Sequence, residues 1–393
     1  MAYQNVGTPR FIIDWLSWYK SLGLIGAGES DIWNASTSLP SINENISVLN
    51  LIGLNPSSQT WIDSFGDSVS PTLSHGFNIN IYASAVFPVH DVNIVGLLGH
   101  NFKSISGVVG DIPTNFKFGY LVSSSSSSLG IKFTDDILIN AGLTDRINNS
   151  GFEYKVMTFP YDGFSFCSVD GAYTEDDPAI DMQSLIPSMR NIPPAYNSTN
   201  IKLGSLLLGR YYDMNAPNLS LTMSREYGGI KEFETHNGSS MSNTMWSKPP
   251  MWGDLGAWEL HSSGTVPQIL TKSGRRSWDL KFSFMDSGEL WGSNQMLSNI
   301  AESITTGLGY ESGDISNSTT FNYNLLTDDN FFSQVWHKTL GGTLPFIFQP
   351  DGGANGNNNP DQFCIARFKD NSLKATQSAF NVYDISLSIE EVW

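Results

Sequence analysis

Short runs in which every second residue is apolar, bounded by Gly, Asn, Ser and Pro, fill most of this chain, and a side-chain period of two is what a strand with one buried face requires. The clearest run sets Trp278, Leu280, Phe282 and Phe284 on one side against Asp279, Lys281 and Ser283 on the other. Phe77, Ile79 and Ile81 repeat the pattern, as do Phe116, Phe118 and Tyr120, Leu219, Leu221 and Met223, and Tyr383, Ile385, Leu387 and Ile389. The denser run from Asp91 to Gly99 reads as a central strand buried on both faces. Ile201 to Tyr212, Leu344 to Phe348 and Phe363 to Phe368 read as further strands. Alternation over so many short segments makes the chain mainly β.

At 393 residues the chain exceeds what one hydrophobic core usually serves. The reading is therefore two β-sandwich domains, the second with one or two flanking helices. Residues 1–45 form an N-terminal arm, 46–213 the first sandwich and 214–393 the second. One helix carries Leu297, Ile300, Ala301 and Ile304 on its apolar face. The other carries Phe332, Val335 and Trp336, with capping residues at Thr327-Asp-Asp-Asn and a stop at Gly341-Gly342. The serine run 123–128 occupies a hairpin tip, and the proline-bearing stretch 176–196 is a long excursion between strands.

Charged residues make up only 15% of the chain, and their balance leaves a formal charge of −17. That charge repels phosphate backbones and anionic headgroups, so no nucleic-acid partner is expected. The start at Met1 lacks a basic end followed by an apolar stretch, and no segment approaches ~18 uninterrupted apolar residues. Neither a signal peptide nor membrane insertion is therefore expected.

Candidate chemistry is sparse, and the expectation is a non-enzymatic protein without cofactor, metal or catalytic residues. The acidic clusters Asp135-Asp136, Glu175-Asp176-Asp177 and Asp328-Asp329 are local runs, the last placed to meet a helix dipole. The six histidines, His100 among them, show no metal-ligand spacing, and no nucleophile elbow or phosphate loop occurs. Cys167 and Cys364, far apart, read as buried thiols. Loop 350–361 carries Asp351, Asn357, Asn358, Asn359 and Asp361, oxygen donors suited to calcium, but an exposed hairpin tip is the simpler reading. Trp278 and Trp336 fall on apolar stripes. Trp33, Trp61, Trp246 and Trp252 fall in loop-like sequence, where they would face a ligand or a neighbouring subunit. Phe11, Ile12, Trp15, Trp18 and Tyr19 belong to an apolar cluster followed by Gly- and Ser-rich sequence. They are expected to clasp a neighbouring copy, with docking on the chain's own sandwich as the alternative.

Val92-Asn-Ile-Val-Gly-Leu-Leu-Gly-His-Asn-Phe102 resembles the strand-and-turn pattern of discoidin-like, galactose-binding-type sandwiches in bacteriophage tail and virion proteins. In that pattern His100 and Asn101 shape the strand exit. Lys202 to Asp213 is similar to the closing strand of those sandwiches. Ser273 to Phe284, Leu344 to Pro350 and Ile385 to Trp393 resemble the sandwich-plus-helix domain of tail tube and distal tail proteins. The stretch 176–196 fits neither template. The resemblance implies a structural virion component of the tail, made in the host cytoplasm and assembled into a symmetric ring. Its partners would be itself, other virion proteins and a host-surface glycan.

Overall fold

The computed structural model describes residues 5–23, 41–42, 48–55, 60–64, 75–76, 94–100, 115–122, 145–147, 153–157, 163–168, 182–190, 201–226, 230–244, 275–291, 329–353, 356–358 and 362–392. The chain is mainly β, with one large antiparallel sheet and few helices. That sheet has ten strands. In chain order they are β1 (Arg10–Asp14), β2 (Ile94–His100), β3 (Gly163–Ser168), β4 (Ser205–Asp213) and β5 (Thr222–Glu226). Then come β6 (Arg275–Asp286), β7 (Phe346–Gln349), β8 (Cys364–Phe368), β9 (Ala375–Ala379) and β10 (Val382–Glu391).

Across the sheet the order is β5-β6-β10-β8-β7-β1-β4-β2-β3, with β9 pairing β10 off this path. The two halves of the sequence thus contribute two contiguous blocks of strands to one sheet, and they meet where β1 pairs β7. The expected boundary at 213/214 falls between the blocks, yet a continuous hydrogen-bonded ladder crosses from one to the other.

The strand that makes this junction comes from the segment expected to be an arm. β1 pairs β4 from Arg10↔Asp213 to Asp14↔Gly209 and pairs β7 from Arg10↔Gln349 to Ile12↔Ile347. Three consecutive apolar residues, Phe11-Ile-Ile, suit a strand covered on both faces. On one face Phe11 meets Phe331, Phe346, Phe348 and Phe368 at centroid distances of 5.3 to 5.8 Å. On the other, Ile12 packs with Leu54, Ile94, Leu98, Leu207, Ile347, Phe363 and Ile365. Asp14 then caps helix α1 (Trp15–Ser21), accepting from the Leu16 and Ser17 amides.

Several expectations are met in form. β2 lies in the sheet interior between β4 and β3, as the dense run implied. In β6, Trp278, Leu280 and Phe282 are buried in register with β10. The helical turn after Asn330 buries Phe331, Val335 and Trp336 and winds as a π-helix over Phe332–His337. Phe331 takes the inward place expected of Phe332, because the cap is Asn330, whose side chain accepts from the Ser333 amide at 2.8 Å. Gly341 and Gly342 end the turn at φ 65° and 87°, conformations that glycine tolerates.

Other expectations shift. Met182–Arg190, within the stretch read as an excursion, is a strand pairing Asn115–Val122. Its Pro187 lies opposite Phe118 and beyond the short Ser188–Met189 pairing with His75–Gly76. Leu219 and Met223 point outward instead of into a core. The helix expected near 297–304, the serine run 123–128 and the run 77–81 lie outside the described residues. Among the described residues no helix is long and apolar enough to cross a membrane.

Two buried ionisable groups give the fold a pH signature. Burial lifts the Asp14 carboxyl to about 6 against four hydrogen bonds that lower it, and burial drives the His100 imidazole down to about 3. From pH ~4 to ~6 the folded chain keeps a proton on Asp14 that the unfolded chain releases, so this contribution is lost as pH rises through 6. His100 acts oppositely: below its ordinary 6.5 the unfolded chain takes up a proton that the folded chain refuses, so stability is lost as pH falls. Chemical denaturation of Asp14→Asn and His100→Gln from pH 4 to 8 separates the two. The wild-type advantage over D14N should shrink by about 3 kcal/mol on going up through pH 6, and that over H100Q should shrink on going down from 6.5.

The junction also has a steric requirement at Gly209, opposite Asp14, where a Cβ would overlap the Ile13 carbonyl oxygen. Gly209→Ala is expected to cost roughly 1 to 3 kcal/mol or more, as overpacking does, measured as a lowered denaturation midpoint. An unchanged midpoint would show that β1 does not pass Gly209 this closely.

Candidate interaction surface

The residues expected to clasp a neighbour are consumed inside their own chain. Phe11, Ile12, Trp15, Trp18 and Tyr19 are each at most 2% exposed. Trp18 lies 5.3 Å from Tyr19 between ring centroids and 5.9 Å from His337, and Trp15 meets Tyr19 edge-on. The Lys338 ammonium, itself buried, sits 4.9 Å from the Trp15 ring and 5.8 Å from the Trp18 ring and donates to Gln334 Oε1 at 2.8 Å. Burial pushes the Tyr19 phenol up. In this single chain the cluster takes the alternative seat, on the chain's own sheet, in a slot whose residues lie some 200 and 340 positions away in sequence.

Of the tryptophans expected to face a ligand, Trp61 lies on the strand Thr60–Ser64, opposite Lys202. The Trp61 side chain, and Trp33, Trp246 and Trp252 altogether, lie outside the described residues.

Loop 350–361 closes on a donor of the protein's own. Gln349 Nε2 donates toward Asn358 Oδ1 at 2.8 Å, the Asn357 carbonyl at 3.0 Å and the Asp351 carbonyl at 3.3 Å. The Asp351 carbonyl also accepts from the Asn357 amide. An amide nitrogen thus occupies the point on which these oxygens converge. Among the described residues no group of three or more His, Cys, Asp or Glu is placed to hold a metal; Asn359 and Asp361 lie outside them.

Asp329 pairs with Arg210 at 3.0 Å. Cys364 is buried, its thiol pushed well up by burial and by Glu391, so it stays protonated and inert. Cys167 lies on β3, and its side chain is outside the described residues.

What the structure adds is a group of outward apolar residues at one end of the sheet. β6 pairs β10 regularly up to Phe282↔Ile385 and resumes at Met285↔Tyr383, so β6 carries one extra residue. This bulge reverses the phase of the strand. Met285 turns inward, while Phe284, expected in the core by alternation, turns outward and is 82% exposed. Phe284 stands at φ 62°, its amide donating to Asp384 Oδ1 at 3.0 Å.

The neighbouring β9–β10 turn presents Phe380, 87% exposed, followed by Asn381 at φ 58°, whose carbonyl accepts from the Ser287 amide. On the other side Asn218 is fixed to β6 by its amide, which donates to the Lys281 carbonyl, and by its side chain, which donates to Ser283 Oγ. That places Leu219 fully exposed beside the bulge. Three adjoining segments therefore bring Leu219, Phe284 and Phe380 to the same end of the sheet, amid the exposed charges of Lys281, Asp286 and Glu289. Large apolar side chains ringed by polar groups are the usual make-up of an interface core and rim.

Positive φ is costly for Phe and free for Gly, so Phe284→Gly should leave the unfolding free energy from chemical denaturation unchanged or raise it by up to about 1 kcal/mol. A loss above about 2 kcal/mol would mean that Phe284 is held by the fold and is no outward anchor.

Comparison of this chain with protein-family models, with curated proteins and with solved structures finds no match.

Proposed function

We propose that the protein is a non-enzymatic structural component of a bacteriophage virion, of tail-tip, adaptor or baseplate type, that assembles into a symmetric ring and contributes to attachment at a host-surface glycan. The virion and tail parts of this reading rest on the sequence resemblances at 92–102, 202–213, 273–284, 344–350 and 385–393. The finer architecture that goes with it is two sandwich-type halves joined through the β1–β7 ladder.

The observation that carries the assembly part is the outward set Leu219, Phe284 and Phe380. Phe284 is kept in a strained backbone conformation without being buried by its own chain, a state that persists where function uses the exposed ring. Contact between copies would cover these side chains and recover the hydrophobic free energy that their exposure forfeits, about 1.5 to 3 kcal/mol for each residue fully buried. Freestanding carbohydrate binding, an accessory module of an enzyme and capsid decoration are the alternatives that the sequence leaves open.

Light scattering after size exclusion, with negative-stain imaging, tests the reading. A closed ring of defined mass is expected for the wild type, and dissociated, folded chains are expected for Phe284→Gly combined with Phe380→Ser. A wild-type monomer at all concentrations would overturn the assembly reading, and a monomer that binds glycan would favour the carbohydrate-binding alternative.

A further inference from the structure

We infer that the turn after β7 binds a hard divalent cation of calcium's size, held by the backbone carbonyls of Asp351 and Asn357, by Asn358 Oδ1 and by Gln349 Oε1. The site is independent of the assembly reading above.

The turn gathers oxygens around one point. Those of Asp351, Asn357 and Asn358 converge on the place of a single atom, Gln349 Nε2, at 3.3, 3.0 and 2.8 Å. A Cβ on Gly356 would overlap the Asp351 and Gly353 carbonyl oxygens, so glycine is what lets the backbone oxygens crowd together here. Crowded carbonyl oxygens repel one another unless something positive stands between them.

The amide at that point is a poor match for its surroundings. It brings two protons to three acceptors. Its other end, Gln349 Oε1, is buried without a hydrogen-bond partner, on a residue that is 0% exposed. Turning the amide over loses no bond on the far side, where Oε1 makes none, and carries a fourth oxygen to the convergence point. A cation there takes its oxygens at ~2.3–2.6 Å, which draws each of the three in by under about 1 Å from its present distance to the nitrogen.

The donor chemistry selects the ion. All four ligands are carbonyl or amide oxygens, which calcium accepts, and no nitrogen or sulfur stands among them to favour zinc. Magnesium demands a near-ideal octahedron and gives up its waters reluctantly, so a cage of neutral oxygens favours calcium. Neutral ligands also make the site weak, with a dissociation constant in the range of about 10⁻⁴ to 10⁻³ M. Asn358 is exposed, which leaves the ion a path from solvent and room for waters to complete its shell. The formal charge of −17 concentrates cations around the chain. An ion held here bears on the large sheet, because the turn is clipped to the residues that lead into β1: the Gly7 amide donates to the Pro350 carbonyl and the Gly352 amide to the Thr8 carbonyl.

Chemical denaturation of the full chain in calcium chloride tests the site, with sodium chloride of matched ionic strength and magnesium chloride as controls. For a dissociation constant of about 1 mM, about 10 mM calcium should raise the folded-to-unfolded ratio roughly tenfold over the sodium control, and magnesium should change it little. Asn358→Ala removes a ligand from an exposed position and should abolish the calcium effect, its transition in sodium chloride alone reporting that it folds. Asn358→Asp supplies a charged oxygen in place of a neutral one and should lower the calcium concentration needed by about tenfold. Terbium, of similar size to calcium, should bind the wild type with one calcium-displaceable site that Asn358→Ala lacks. A wild type indifferent to calcium overturns the site, whatever Asn358→Asp does. A calcium effect that persists undiminished in Asn358→Ala overturns it as well, since the ion is then held elsewhere on an acidic chain.

Discussion

The whole of the large sheet depends on β1 being covered on both faces and paired on both edges. Without Arg10 to Asp14 the edges of β4 and β7 lie open, and the aromatic cluster of Phe331, Phe346, Phe348 and Phe368 loses the ring at its centre. Open apolar edges recruit other strands, so the slot that β1 fills would be a hazard if left empty. Gly209 belongs to the same constraint, since only a residue without Cβ lets the Ile13 carbonyl pass as β1 turns into α1.

Polar groups inside this core are tolerated where they join strands. The Arg276 amide and Nε donate to Glu391 at 2.5 and 2.7 Å, and Nη2 also reaches the Phe363 carbonyl. This links β6 and β10 to the residue that precedes β8. Burial raises the Glu391 carboxyl, and Arg276 opposes that rise. A buried pair of this kind adds little net stability, but removing either partner strands the other in a low-dielectric interior at a cost of roughly 3 to 5 kcal/mol. Its effect is to fix the strands against one another, as Asp14 fixes the turn from β1 into α1.

Strands were legible wherever local chemistry decides the outcome. Leu280, Leu387 and Ile389 alternate in sequence and are buried in paired strands, and the described part of the 91–99 run, residues 94–99, lies in the sheet interior. The reading fails where the outcome is set from a distance. Nothing near Phe11 announces partners at Tyr212 and Phe348, although Asp14 between an apolar run and Trp15 is a helix-cap signal that would have placed a strand–helix unit there. Alternation also fails at Phe284, because one inserted residue inverts every side chain beyond it. Only the pairing with Tyr383 and Ile385 reveals the insertion.

The positive-φ residues show why that bulge matters. Leu340, at φ 52°, carries the same backbone cost as Phe284, whereas Asn381 is a residue type that tolerates the left-handed region and Gly341 and Gly342 enter it without penalty, so those three positions are locally consistent. Phe284 is not: a left-handed phenylalanine costs about 1 to 2 kcal/mol and leaves its ring in water. Its amide bond to Asp384 offsets part of the backbone cost but none of the exposure. Glycine at this position would remove the strain and the exposed ring together without disturbing Met285. Within the isolated chain the choice of phenylalanine is therefore unfavourable on both counts, and the proposed contact between copies would answer the exposure by covering Phe284 together with Phe380 and Leu219.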